Sequence, residues 1–363
     1  MLPRSPNPIA TLQRNLMELA TRVLSKYGLI VLLALLFVTY SILLPTTFPT
    51  VFNLRTILEE NSIVLIFALA LMMPLASGAF DLSVGYQIGL AQVLVIGLQV
   101  NQHYPWPIAI LVTIGVGCAI GIVNGLIVTQ LRIDSFIATL GSGAVIFGIT
   151  LIYSGGVEIQ GALPSAYLLL SGFGPLGIPV PAYVALAVCV ILWIILEYLP
   201  IGRNLYVLGS NRRAAELVGI TPTRYVPLIF AMCSLLCAIG AILLAAEIRV
   251  AQPTLGPEYL LPSFSSAILG TTAIRVGRVN PWGTAVAVFL IAIAVSGLLQ
   301  LGATNAAQSI FNGGMLLVAL TIAGITSRRR LFKTAAPEDA IEAPRAGEEL
   351  AADEEALSGP PAG

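Results

Sequence analysis

The stretch Tyr225–Glu247, YVPLIFAMCSLLCAIGAILLAAE, decides the fold class of this chain. No charged side chain lies between Arg224 and Glu247, and the run exceeds the roughly 20 apolar residues that a helix needs to cross a bilayer. We therefore expect an all-α, polytopic membrane protein with about ten transmembrane helices. The candidate spans are Tyr27–Leu44, Asn61–Gly78, Ser83–Val100, Pro107–Gln130, Ser135–Gly155, Val180–Leu199, Tyr225–Glu247, Pro262–Ile274, Pro281–Gln300 and Ala306–Ile325, of which the third and the eighth are expected to be irregular or re-entrant.

Composition supports this prediction and narrows the function. The chain is 57% hydrophobic and 10% charged, against about 25% charged residues in soluble domains. Its formal net charge is zero, which argues against a basic surface for nucleic acid. The single histidine, His103, leaves no cluster with which a membrane enzyme could bind a metal ion. The four cysteines all lie in apolar runs, where we interpret them as packing residues.

The distribution of basic residues predicts the topology. With ten crossings and a cytoplasmic N-terminus, all of the 18 Lys and Arg residues except Arg55 and Arg249 fall on the cytoplasmic side. That bias is the one expected of inner-membrane proteins. Residues 1–26 are then predicted to be a cytoplasmic amphipathic segment that lies on the membrane surface. Residues 27–326 form the transmembrane domain with a cytoplasmic loop at 202–223, and residues 327–363 a disordered cytoplasmic tail.

The two halves of the chain show a faint inverted repeat. The run Leu65–Leu75, a polar break at Ser77–Ser83 and a second run correspond to Leu236–Ala246, a break at Gln252–Tyr259 and a further run. The first break faces the cytoplasm and the second the outside. Transporters built from inverted repeats place their functional site where such repeats meet.

The first break contains the strongest candidate for a substrate pathway. A carboxylate at membrane depth is costly, so Asp81 is expected either to face a pathway or to cap the next helix together with Ser83. Gly85 follows, where the backbone can approach a neighbour closely. Asn124 and Thr139 are further candidates because they are polar residues within apolar runs, although such residues also bridge helices.

The cytoplasmic loop contains a predicted short helix. Ser210 or Asn211 can cap its start, Gly219 suits the position after its end, and Ile220 can supply the accompanying apolar contact. A capped, exposed helix of this kind is suited to docking into a groove of a partner protein. The residues expected to couple to that partner are Gly209, Asn211, Arg212, Arg213, Ala214, Ala215, Glu216, Gly219 and Ile220.

The second break contains Glu258 and Tyr259. Glycine and proline residues around this pair predict another interrupted helix. We interpret both side chains as candidates for the outer part of the pathway, with an ordinary extracellular loop as the alternative.

At these motifs the chain resembles the permease subunits of bacterial ATP-binding-cassette (ABC) importers of the ribose/xylose/galactose type, which are related to branched-chain amino-acid permeases. The resemblance spans roughly residues 30–326. It rests on the run Asp81–Gly85, on Gly209, Asn211, Ala214, Ala215, Gly219 and Ile220, and on Tyr259, Leu261, Gly270 and Thr272.

The chain also departs from that family. Arg212 and Arg213 stand where acidic residues are common, and Glu216 stands where a basic one is. Leu260 and Pro262 replace an acidic pair near the expected pathway, which puts the usual sugar substrate in question. The first difference concerns the choice of ATPase partner and the second concerns the solute.

The resemblance implies a homodimeric permease in the bacterial inner membrane, with both termini in the cytoplasm. It would work with a cytoplasmic ATPase subunit and a periplasmic solute-binding protein, and would carry a monosaccharide or related polyol. The chain has no phosphate-binding GxxxxGK[ST] loop, so ATP and Mg²⁺ would bind to the partner ATPase and no cofactor to this chain. The alternative is an ion- or proton-coupled secondary transporter, for which Asp81 is the only coupling candidate.

Overall fold

Helices account for nearly all regular structure in this computed structural model, which describes residues 8–304, 306, 308–318 and 320–321. The described residues belong to one unit, Met1–Ala323. The α-helices are α1 Pro8–Leu43, α2 Val51–Ala76, α3 Val84–Val100, α4 Trp106–Gln130, α5 Ser135–Ser154, α6 Ser165–Leu168, α7 Val180–Tyr198, α8 Pro200–Ser210, α9 Arg212–Leu217, α10 Pro222–Ile248, α11 Leu260–Leu269 and α12 Pro281–Gln300.

The predicted spans correspond to helices of the expected kind. Among the described residues, seven helices are long and apolar enough to cross a membrane, namely the part of α1 from Lys26 onward, α2, α4, α5, α7, α10 and α12. The predicted third span is α3, which is shorter than these seven but is one continuous helix, so the irregularity expected of it is not seen. The eighth is the short α11 with a 3-10 turn at each end, which is irregular as expected. The predicted tenth span is helical at residues 308–318. The predicted tail at 327–363 lies outside the described residues.

The basic loops gather at one end of the helices. The Ile274 amide donates to the carbonyl of Lys26, just before the first span. Arg275 pairs with Glu197 at the end of α7. Of the two basic residues that the topology places on the other side, Arg55 lies near the start of α2 and Arg249 directly follows the end of α10. Lys26 and Arg275, which the topology places on the same side, therefore lie at the same end of the helices.

Helices α2 and α10 form the centre of the molecule. In the apolar windows of α2 and α10, 67% and 72% of the residues are buried by protein, compared with 6% in α1. Apolar residues on all sides suit such central helices, because each face meets another helix. Ile66, Phe67 and Phe230 are fully buried there.

The predicted inverted repeat agrees with the packing. Helix α3, which follows the break after α2, packs against α10. Helix α11, which follows the break after α10, packs against α2. Each interrupted pair thus places its second helix against the first helix of the other pair. Both breaks lie beside this four-helix centre.

Two segments are more ordered than the sequence suggested. Helix α8 precedes the predicted docking helix; Pro200 stands at its first turn, and Leu205 and Leu208 share its buried face. Between α5 and α7, the short α6 carries Tyr167, which is fully buried and donates a hydrogen bond to the Ile242 carbonyl, 3.0 Å away. Helix α6 is too short to show periodicity, whereas α8 has apolar residues at helical spacing, Ile201, Leu205 and Leu208, that the sequence analysis passed over.

Candidate functional site

The first break is created by a sharp helix end. Helix α2 ends at Ala76, and the Ser77 hydroxyl donates to the carbonyl of Pro74 at 2.8 Å. Gly78 then adopts a φ of +75°, a backbone conformation that residues with a Cβ rarely adopt. The chain turns back and starts α3 at Val84. The loop between the two helices therefore contributes polar groups to the protein interior.

Asp81 and Ser83 form the hub of a buried polar network. Asp81 is only 1% exposed. Its Oδ1 accepts hydrogen bonds from the Ser83 amide, at 3.0 Å, and from the Ser83 hydroxyl. The Ser83 Oγ in turn accepts from Gln87 Nε2 at 2.7 Å and from Asn124 Nδ2 at 2.9 Å. The network joins the break to α3 and α4.

Helix α5 holds the same loop from another side. The Phe80 amide donates to Ser135 Oγ, and the Leu82 amide donates to Thr139 Oγ1, each at 3.0 Å. Thr139 also donates to the carbonyl of Ser135 within its own helix. Four predicted pathway residues, Asp81, Ser83, Asn124 and Thr139, therefore lie at one junction. The alternative prediction was that Asp81 caps α3. Asp81 accepts its hydrogen bonds from Ser83, which precedes the first residue of α3, and not from a residue within that helix.

Buried polar atoms continue from this junction into the protein. Asp81 Oδ2, Gln87 Oε1 and Ser234 Oγ have no hydrogen-bond partner among the described residues. Gln87 and Ser234 both line a small cavity between α3, α4 and α10, together with Thr113. Buried polar atoms without partners are uncommon in folded proteins and occur preferentially where function requires them.

The second break meets the start of α3. A Cβ at Gly256 would overlap the carbonyl oxygen of Gly85, and a Cβ at Gly85 would come within 3.1 Å of the Pro257 Cα. Only glycines allow the two backbones to lie this close. The predicted pathway residue Gly85 therefore lies against the segment that carries Glu258. The two interrupted helices of the repeat meet here.

Glu258 and Tyr259 lie apart from the Asp81 network. Glu258 is exposed, and the Tyr259 ring packs edge-on against Phe67 with 5.5 Å between ring centroids. Glu60 and Glu247 lie close enough to the Tyr259 hydroxyl to act on it electrostatically. The sequence analysis did not select these two glutamates. They are distant in the chain and come together only because α2 packs against α10.

The predicted docking helix has the predicted caps. The Ala214 amide donates to Asn211 Oδ1 at 3.0 Å, so Asn211 and not Ser210 is the N-cap of α9. At the other end Gly219 has a φ of +83°. The Gly219 amide donates to the Glu216 carbonyl, and the Ile220 amide to the Ala215 carbonyl. These two bonds are those of a Schellman motif.

The outer face of α9 is free to meet a partner. Arg212 and Glu216 form an exposed pair at 3.6 Å, and Ala215 is fully buried on the opposite face. At the end of the helix, the side chains of Leu217 and Val218 are 85% and 71% exposed. Large apolar side chains this exposed, next to charged ones, mark interaction sites more often than isolated surface residues do.

Comparisons with known proteins agree with the motifs. Residues 53–320 match the family model described as branched-chain amino acid transport system / permease component. The chain is 34% identical to the ribose import permease protein RbsC of Bacillus subtilis (strain 168), over 83% of this chain and 93% of that protein. It is 30% identical to RbsC of Escherichia coli (strain K12), over 83% and 94%.

A further relative is named for a different substrate. The chain is 29% identical to the autoinducer 2 import system permease protein LsrD of Escherichia coli (strain SMS-3-5 / SECEC), over 85% of this chain and 96% of that protein. No solved structure matches the chain. The family match and the ribose permeases each cover most of the chain. This protein is therefore a multi-pass membrane transport component that belongs to the branched-chain amino acid transport system / permease component family.

Proposed function

We propose that this chain is the membrane-spanning permease of an ABC importer and carries a monosaccharide or a related polyol. The observation that carries the proposal is the preformed helix α9, capped at both ends and exposing Leu217 and Val218 beside the break that holds Asp81. A carrier that works alone has no need of such a docking element. The absence of a phosphate-binding loop from the sequence supports an ATPase on a separate chain.

The partners follow from the same proposal. Two copies of the permease would meet two cytoplasmic ATPase subunits, which bind ATP and Mg²⁺, and a periplasmic binding protein would deliver the solute. In such a two-fold symmetric assembly, each permease copy presents the same docking surface to its own ATPase subunit. The chain would lie in the inner membrane with both termini in the cytoplasm, as the clustering of basic loops at one end supports.

The chemistry at the outer end fits a hydroxyl-rich solute. Glu60, Glu247 and Glu258 lie around Tyr259 and supply carboxylate acceptors for hydroxyl groups. They would take over from the acidic pair that the family has at the positions of Leu260 and Pro262. The relatives named for ribose import also support a sugar as the solute.

The test is reconstitution. The permease is co-expressed with its candidate ATPase and binding protein, purified in mild detergent and placed in liposomes. We expect the ATPase to co-purify and one of ¹⁴C-ribose, ¹⁴C-xylose or ¹⁴C-galactose to accumulate only when ATP is present. Uptake driven by a proton or sodium gradient without ATP would instead support the secondary transporter. Robust ATP hydrolysis by the permease alone would also contradict the proposal.

A further inference from the structure

Helix α8, which leads into the docking helix α9, touches the Asp81 break backbone to backbone. A Cβ at Gly209, near the end of α8, would overlap the carbonyl oxygen of Ala76 and would lie 3.1 Å from the Gly78 nitrogen. A Cβ at Gly78 would lie 3.3 Å from the carbonyl oxygen of Gly209. No side chain separates the two chain segments at this point. A displacement of α8 must therefore move the loop that starts at Gly78.

A shared apolar cluster makes the same connection. Leu208 on α8 and Ala215 on α9 pack in one buried cluster with Ala79, two residues before Asp81. Val128 near the end of α4, and Val226 and Phe230 at the start of α10, complete this cluster. Helices α8 and α9 thus both pack against the break through their buried faces, while Leu217 and Val218 remain exposed to a partner.

The far side of the break is also fixed. Its amides are held by Ser135 and Thr139 of α5, and Ser83 is held by Asn124 of α4. The segment between Gly78 and Ser83 is therefore held in place at both ends. Helix α8 contacts one end of this segment, and the buried polar network lies at the other end.

We propose that Gly78 and Gly209 are positioning residues that transmit movement of the docked ATPase directly to the Asp81 network. This inference rests on the proposed function, since it needs an ATPase on α9. It adds the route by which ATP-driven movement reaches the membrane interior. Neither glycine touches the solute; both act by keeping the backbones of α8 and of the break in contact.

The experiment measures amide hydrogen exchange in the assembled importer, with and without trapping by ATP and vanadate. In the wild type we expect trapping to change exchange both in α9 and at residues 77–83. In Gly209→Ala we expect the change in α9 to persist and the change at 77–83 to shrink by about fivefold or more, because the contact that couples them is displaced. Uptake should fall in parallel while ATP hydrolysis continues.

The matched control is Gly115→Ala. Gly115 also lies within a helix, but a Cβ there would meet nothing within 4 Å, so both exchange changes should match the wild type. An unchanged response at 77–83 in Gly209→Ala would overturn the inference. So would a wild type whose α9 responds to trapping while residues 77–83 do not. A wild type whose α9 neither binds nor responds to the ATPase would instead contradict the proposed function.

A second pair of variants decides the matter if Gly209→Ala does not fold. Leu208→Ala removes a side chain from the cluster with Ala79, whereas Leu192→Ala removes an equally buried one from α7, outside that cluster. Both truncations lose similar packing. We expect only Leu208→Ala to weaken the response of residues 77–83 to trapping. Equal responses in the two variants would contradict the transmission route.

Discussion

The side-chain amide of Asn124 donates a hydrogen bond to Ser83 Oγ, 2.9 Å away, and thereby joins α4 to the first turn of α3. The bond is fully buried and links two helices that are far apart in the chain at this point. Ser83 is also bonded to Asp81 and Gln87, so a single hydroxyl connects three other polar side chains. The arrangement fixes the start of α3 relative to the rest of the bundle.

Replacing Asn124 by leucine is expected to loosen this junction. The variant keeps a similar volume and removes the donor to Ser83, which should lower the free energy of unfolding by about 1 kcal/mol, the range of interhelical hydrogen bonds in membranes. The measurement is thermal or denaturant unfolding in detergent. Gln99→Leu is the control, because Gln99 is buried but donates to the Val95 carbonyl of its own helix. An equal loss in both variants would mean that the link between helices contributes nothing specific.

The charge of Asp81 can be separated from its shape. Asp81→Asn keeps an oxygen that can accept from Ser83 but removes the charge, and charge-assisted hydrogen bonds are roughly twice as strong as neutral ones. We expect the variant to fold and to lose about tenfold in uptake, which corresponds to about 1.4 kcal/mol. Initial rates of ATP-dependent uptake in liposomes provide the measurement.

The control for this variant is Asp134→Asn. Asp134 is also a helix-capping aspartate, accepting from the Phe136 amide, but it is exposed. Its substitution should leave uptake unchanged. Wild-type uptake by Asp81→Asn would show that the carboxylate acts only as a hydrogen-bond acceptor in the fold.

Much of this junction could be predicted from the sequence, because its residues are recognisable from their immediate sequence neighbours. Asp81, Asn124 and Thr139 stand out because each is a polar residue in or beside an apolar run, where polar side chains need partners. Gln87 and Ser135 were not predicted, since glutamine and serine in helices often bond only their own backbone. Their roles depend on how α3, α4 and α5 pack together.

The contact between Gly78 and Gly209 could not be predicted in the same way. Each glycine has a local explanation, one as a turn residue and the other as part of a loop before a cap. Their mutual contact depends on tertiary packing that brings α8 beneath the end of α2. The charge pattern did indicate which loops share an end of the bundle, because that signal depends only on which side of the membrane each loop occupies.

The N-cap of α9 should affect partner binding. Asn211→Ala removes the acceptor for the Ala214 amide and should destabilise this short helix by about 1 kcal/mol. We expect weaker association of the ATPase with the purified permease, measured by titration of labelled ATPase. Ser210→Ala is the control, since Ser210 donates to Val207 in the preceding helix and does not cap α9. Equal affinities of the two variants would exclude a contribution from the cap.

The exposed end of α9 is expected to be an anchor for the ATPase. Leu217 is 85% exposed, so Leu217→Ser should leave the stability of the permease unchanged. Burial of a leucine in an interface contributes about 1.5–3 kcal/mol, which predicts at least a tenfold loss in affinity for the ATPase. The control is Leu176→Ser, since Leu176 is 88% exposed but lies in the turn before α7. Retained affinity in Leu217→Ser would place the docking surface elsewhere.

The carboxylates around Tyr259 provide the last test, which concerns the solute. Glu247 at the end of α10 lies close to Glu60, in the first half of α2, and to Tyr259. Glu247→Gln replaces a carboxyl group, which can accept hydrogen bonds from hydroxyl groups, by an amide of the same size. If a sugar passes this point, we expect KM for uptake to rise by about tenfold with little change in kcat, because the solute is bound less well before it enters.

The control is Glu158→Gln, in the exposed segment after α5, where the glutamate accepts a hydrogen bond from the neighbouring Gln160. Its kinetic constants should match those of the wild type. A fall in kcat without a change in KM would assign Glu247 to the conformational change instead of solute binding. Wild-type kinetics in Glu247→Gln would remove this cluster from the pathway, and the relation between Gly85 and Gly256 would then be the next place at which to look for contact with the solute.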